Sequence, residues 1–222
     1  MIDRDHHAGR EAPATASRRG RVDLEVVAAA ILAVVTILTA WSAFQATKWG
    51  GVMAIRFSEA NVARTQATQA AARVNAKQAV DVGLFVEYAA ARSANDSTLA
   101  DFLEERFRDE FRPAFDAWLA LRPLRNPDAP ATPFQMDEYV LAEQAEVTEA
   151  TATADLRAQQ ARDANQRGDN YVLTTVLFAS VLFFAGVSTK FDAVRVQQGL
   201  LAMAVTLLLV GVVILLSFPV EI

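Results

Sequence analysis

The stretch YVLTTVLFASVLFFAGVST, residues 171–189, decides the fold together with GLLAMAVTLLLVGVVILLSF, residues 199–218, which follows after a short polar break. Each is about 20 residues without a charged side chain, the length a helix needs to cross a hydrocarbon layer of about 30 Å. A third run of the same kind, VVAAAILAVVTILTAWSAF, lies near the start at 26–44. Inside a bilayer the backbone has no water to bond, so each run is read as helix. The expectation is an all-α integral membrane protein with transmembrane helices at 24–45, 170–189 and 199–218, and the lipid bilayer as first partner.

A cleaved signal peptide is the competing reading of the first run. Its apolar stretch exceeds the roughly 7–15 residues of such segments, and no A-x-A site follows. Ser17-Arg18-Arg19 resembles a twin-arginine start, but Asp23 and Glu25 stand where apolar residues belong. A retained anchor is therefore expected.

Charge sets the orientation. Arg18, Arg19 and Arg21 precede the first run, and Lys190 and Arg195 outweigh Asp192 in the loop between the other two. Short segments rich in Lys and Arg stay in the cytoplasm. This gives a disordered cytoplasmic tail at 1–23, a helical extracytoplasmic domain at 46–169, a cytoplasmic loop at 190–198 and an extracytoplasmic end at 219–222. The expected location is the bacterial inner membrane. Trp41, Phe44, Trp49, Tyr171 and Phe218 all fall at the outer interface, where aromatic side chains collect.

Composition removes many chemistries. There is no cysteine, and the only histidines, His6 and His7, lie in the polar tail. Thiolate sites, disulfides and an imidazole base in the body of the chain are excluded. A net charge of -5 suits no nucleic-acid partner. The spans carry hydroxyls but no ionisable side chain at depth, where proton-driven carriers place them. Ala29, Ala33, Thr36 and Ala40 have small-residue spacing, assigned to packing within the chain. No enzyme, cofactor or metal is expected.

In the 46–169 domain, Ala60, Ala63, Ala67, Ala70 and Val74 recur at threes and fours on one helix face. Gly50 and Gly51 are expected to loosen its junction with the first span. Asn95-Asp96-Ser97-Thr98 ends this helix, with Thr98 and Asp101 as a weak capping box. A second helical run carries Phe102, Phe107, Phe111, Phe115 and Trp118. Glu104–Arg108, Arg106–Glu110 and Arg112–Asp116 are its i,i+4 pairs. Pro113 ends one helix or opens the next. Four prolines make 122–133 a loop, and Phe134 to Arg167 is read as helix. Val140, Val147, Ala154 and Ala161 form a narrow seam on it. Glu143, Glu146 and Glu149 are assigned to a solvated face. The two seamed helices are expected to form an antiparallel hairpin closed by the aromatic helix.

Ala40-Trp41-Ser42-Ala43-Phe44-Gln45-Ala46-Thr47-Lys48 and Arg167-Gly168-Asp169-Asn170-Tyr171 resemble the span junctions of an uncharacterised family of small bacterial three-span membrane proteins, a domain of unknown function. The resemblance covers both ends and the layout, about half the chain. It implies the same plan of one span, a helical stretch and two close spans, and it implies no catalytic residue.

The functional expectation is a non-enzymatic scaffold or accessory subunit that meets a membrane-protein partner or a second copy of itself. The alternative is an extracytoplasmic ligand-sensing module signalling laterally through its membrane helices. Trp41, Phe44, Gln45, Trp49, Asp169, Asn170 and Tyr171 are the candidate contacts at the base of the hairpin. Phe107, Phe111 and Trp118 are the candidates on the aromatic helix, which also reads as core.

Overall fold

The structure is a computed structural model that describes residues 14–123 and 125–221, with side chains from Leu24 onward. His6 and His7, and most of the expected tail, lie outside the described residues. The described residues form α-helices α1 (Ala14–Ser93), α2 (Ser97–Glu104), α3 (Arg112–Ala120), α4 (Ala142–Ser188) and α5 (Val194–Ser217), with a 3₁₀ turn at Pro133–Gln135 and no strand. Three of them, α1, α4 and α5, are long and apolar enough to cross a membrane. The chain divides into two compact units, one built from Met1–Ile55 with Gln160–Ile222 and the other from Arg56–Gln159.

In the first unit α1 buries Ala28, Ile31, Val35, Ser42, Gln45 and Trp49. The matching face of α4 is Ala164, Tyr171, Phe178, Val181 and Ala185, and that of α5 is Leu201, Ala204 and Leu215. Every step within these sets is three, four, seven or eleven residues, so each helix turns one stripe inward. The opposite faces are apolar too: Ile37, Leu173, Phe183, Leu209, Val213 and Leu216 are exposed. A helix apolar all round suits lipid rather than water. Close approach depends on Gly211, where an added Cβ would stand 2.6 Å from Phe178 Cε1.

Several expectations are corrected here. Residues 14–23, expected as disordered tail, are helical. They contain alanines and arginines and no proline, so the helix nucleated by the apolar run propagates back through them. Gly50 and Gly51 do not interrupt α1, and α5 begins at Val194 rather than 199. Ala29, Ala33, Thr36 and Ala40 are exposed, because the inward stripe is the one through Ala28, Ile31 and Val35.

In the second unit α1 buries Ala60, Ala63, Ala70, Val74, Asp81, Phe85, Tyr88 and Ala91, and α4 buries Ala150, Ala154 and Ala158. Val140, expected in the α4 seam, is exposed. Helix α1 is stopped two residues past Ser93 by Asn95, whose φ of 60° is the left-handed value that asparagine tolerates. The Asp96 amide donates to Ala91 O and the Asn95 amide to Arg92 O, closing the last carbonyls in a Schellman pattern. Asp96 also caps α2 by accepting from the Leu99 amide at 3.0 Å, so the cap is Asp96 and not Thr98 with Asp101.

The aromatic run is not one helix. Pro113 lies in the first turn of α3, and residues 105–111 are turns. In a continuous helix the Pro113 ring would strike the carbonyl four residues back, at Asp109. Among the described residues none of the three i,i+4 pairs forms. Arg106 lies over the Phe102 ring, Arg108 turns to Asp81, and Arg112 donates to the Phe107 and Glu105 carbonyls. Helix α4 starts at Ala142, not Phe134, because the preceding segment is pulled into the core. The Phe134 ring stacks on Phe111 at 5.1 Å, and Tyr139 meets both rings edge-on.

Candidate functional site

Two clusters of polar side chains stand out, one in each unit. In the first, Gln45, Trp49 and Tyr171 converge on the segment that follows α5. The fully buried Gln45 side chain donates through Nε2 to Glu221 O at 3.1 Å, and its Oε1 accepts from the Glu221 amide at 3.0 Å. Trp49 Nε1 and the Tyr171 hydroxyl both donate to Pro219 O, at 3.2 and 3.0 Å. Pro219 can offer only its carbonyl to such donors. Phe218 closes the cluster edge-on against Tyr171 at 5.3 Å. The Arg167 guanidinium lies 4.6 Å over the Trp49 ring, and Gly168 lets α4 pass against Ala46 O.

The other residues expected beside them are not drawn in. Trp41 and Phe44 are exposed with their rings 5.9 Å apart. Asp169 accepts from Asn165 and Asn170 from Gln166, each one turn away along α4. Four hydrogen bonds onto a three-residue segment make the cluster a clasp for backbone. The buried Ser42 hydroxyl, one turn before Gln45, has no hydrogen-bond partner among the described residues.

The aromatic candidates are placed differently from a contact surface. Phe107 and Phe111 are buried, at 3% and 0% exposure, and Trp118 is half-buried with its Nε1 donating to Pro130 O. With Phe85, Tyr88, Phe115, Phe134 and Tyr139 they form the core of the second unit, mostly through edge-to-face contacts. These three residues therefore belong to the core, the other reading the sequence allowed, and not to a contact surface: the turn at 105–111 folds Phe107 and Phe111 inward, and α3 carries Trp118 against the same cluster.

The cluster in the second unit was not anticipated. Asp81 is fully buried on α1, and both its oxygens are taken by Arg108, Nε to Oδ1 and Nη2 to Oδ2, each at 2.8 Å. The Tyr139 hydroxyl donates to Oδ2 at 2.8 Å. Arg108 also bonds Glu110, whose other oxygen meets Lys77 at 3.0 Å. Lys77 reaches Glu143 at 2.6 Å, and Arg73 pairs with Glu146 beside it. Farther along, Glu59 pairs with Arg157 at 3.2 Å. Glu143 and Glu146, expected on a solvated face, thus face cations on α1.

The electrostatics follow from this packing. The hydrogen bond to Asp81 holds the Arg108 pKa above its ordinary value. Burial, then the bond to Asp81, pushes the Tyr139 phenol up. Glu143 is held below the usual carboxylate range by Lys77, and Lys77 is raised by Glu143 and then Glu110. A bidentate pair closed by a phenol leaves Asp81 no oxygen facing solvent. What the arrangement can do is fix the 105–111 turn and the 134–141 segment against α1. Sequence reasoning missed it because Asp81 looks like one acid among many. The signal was its position, seven residues after Val74 on the alanine stripe.

Comparison of the chain with protein-family models, with curated proteins and with solved structures finds no match in any of the three.

Proposed function

We propose that this chain is a non-enzymatic protein of the bacterial inner membrane that presents its Arg56–Gln159 unit, as an antiparallel helical hairpin outside the cytoplasm, to a membrane-protein partner. The observation that carries this reading is the ladder of ion pairs. Glu59–Arg157, Arg73–Glu146 and Lys77–Glu143 match rising numbers on α1 to falling numbers on α4. With Asp81–Arg108 they join ionisable side chains of this unit to one another, which sets helix register and rigidity. A rigid body held on apolar helices suits a scaffold or accessory subunit.

The family resemblance at the span junctions supports the same plan. Gln45, Trp49 and Tyr171 at those junctions have a physical role in the clasp, which ties α1, α4 and the 219–221 segment together. Affinity purification of the full chain from gently solubilised native membranes tests the reading, with a chain lacking 56–159 as control. Recovery of a stoichiometric partner that is lost with the deletion is the expected result. Recovery of the same proteins with both chains sinks the proposal.

A further inference from the structure

A cavity of about 600 Å³ opens in the second unit where α1 ends and α3 ends. Its apolar wall is Phe85, Tyr88 and Trp118, and its cationic rim is Arg92, Arg122 and Arg125. Pockets for drug-sized ligands span roughly 300–1,000 Å³, mostly apolar with a few polar groups that fix orientation. This one has that size and that division of labour.

The three arginines differ from the rest of the unit. Arg56, Arg73, Arg108, Arg112 and Arg157 have carboxylate partners, and Arg64 and Arg106 have side-chain hydrogen bonds, to Asn61 Oδ1 and Phe102 O. Arg92, Arg122 and Arg125 have neither an ion pair nor a side-chain hydrogen bond among the described residues. Among the described residues no carboxylate lines the cavity, although the chain carries 26 acids and a net charge of -5. Glu104 and Asp101, the acids nearest in effect to Tyr88, lie outside the lining. Cations at helix ends do complement the helix dipole, and all three follow or close a helix. That accounts for where they stand along the chain. It does not account for an aromatic-walled space left open between them.

Two further details point the same way. Arg122 sits at φ 52°, a left-handed conformation that costs a branched-free but non-glycine residue energy. The Tyr88 phenol, at the wall, has no hydrogen-bond partner among the described residues. A ring-bearing anion would stack on the aromatic wall, accept from the guanidiniums and take the phenol's hydrogen bond.

We propose that this cavity binds a small aromatic carboxylate, with its ring against Phe85, Tyr88 and Trp118 and its carboxylate held by Arg92, Arg122 and Arg125. The site goes beyond the scaffold reading and does not rest on it, since partner recovery tests the one and ligand binding the other.

The test uses the full chain in phosphatidylcholine nanodiscs, titrated calorimetrically with 2-naphthoate and, separately, with its neutral analogue 2-naphthamide. Empty nanodiscs correct for partition into lipid. Saturable one-to-one binding of 2-naphthoate is expected, with the amide about tenfold weaker or worse, the loss that charge-assisted bonds imply. Arg92→Gln with Arg125→Gln should cost about tenfold in affinity while the chain still unfolds in one cooperative transition, shifted only slightly by the lost helix-end charge. Ala89→Trp, which fills the cavity without touching its charges, should abolish binding, and Arg64→Gln on an exposed part of α1 should not. Arg122 is left in place because its backbone conformation makes replacement ambiguous. Absence of saturable heat at millimolar probe overturns the proposal. So does equal affinity for the amide, or full binding by the Ala89→Trp chain.

Discussion

Asp81 shows how much one residue can decide. It sits on a stripe otherwise filled by alanine, valine and aromatic side chains, and water does not reach it. Its charge is tolerable only because Arg108 and Tyr139 supply three hydrogen bonds. Asp81→Asn should destabilise the protein by about 3 kcal/mol, the lower end for a broken buried pair, since Arg108 still touches water. Tyr139→Phe should cost about 1 kcal/mol. Thermal unfolding followed by circular dichroism in mild detergent measures both, and an Asp81→Asn chain as stable as the parent would refute the role given to this group. The same network sets the response to pH. Glu143 is depressed from 4.5, so its contribution is present above that value and is lost as pH falls through the lower folded pKa. Tyr139 is raised from 10.0, so its contribution is present below that value and fades as pH rises toward the folded pKa. The unfolding temperature should fall at both ends. Glu143→Gln should flatten the acid limb and Tyr139→Phe the alkaline one, and a profile unaltered by either change would show that these groups are not coupled to folding.

At the level of the helix, the fit of α5 against α4 turns on a missing side chain. Gly211 faces the Phe178 ring so closely that a methyl group would overlap it. Gly211→Ala should cost about 1–3 kcal/mol, as overpacking does. Gly83→Ala meets nothing within 4 Å and lies in mid-helix, so it should stabilise by about 0.5–1 kcal/mol. Opposite signs for the same chemical change, read as unfolding temperature, are the expected outcome; equal signs would remove the packing explanation. These elements also show what was legible beforehand. The apolar runs were, because span length and hydropathy are local properties of about 20 residues. The stop at Asn95 and the early-turn place of Pro113 were, because turn chemistry is local too. The break at 105–111 was not: Glu105-Arg106-Phe107-Arg108-Asp109-Glu110 holds no glycine or proline, and only the proline after it forbids the helix. The start of α4 was also hidden, because Phe134 and Tyr139 leave helical geometry for partners more than twenty residues away in sequence. Of the candidate site, Gln45, Trp49 and Tyr171 were singled out by their place at the ends of the apolar runs. Their common target was not, since nothing in 219–221 announces that it will be bonded.

For the whole molecule, charge placement makes a prediction that packing cannot. Lys190 and Arg195 flank the turn between α4 and α5, while Arg56–Gln159 holds most of the acids. Lys and Arg in short segments resist transfer across the membrane, whereas long domains cross largely regardless of charge. The turn should therefore remain in the cytoplasm and the long unit should lie outside. Because the chain has no cysteine, a single one can be introduced and read without background. Ala152, exposed on α4, and Ala193, in the turn before α5, are suited to this. In intact cells with a permeabilised outer membrane, an impermeant maleimide should label Ala152→Cys at once. Ala193→Cys should react only after the inner membrane is opened. The reverse pattern would invert the protein and place the arginine-rimmed cavity in the cytoplasm, where it would meet a different set of carboxylates. Labelling of both positions in intact cells would show that the turn does not stay inside, and with it would fall the three-span reading of α1, α4 and α5.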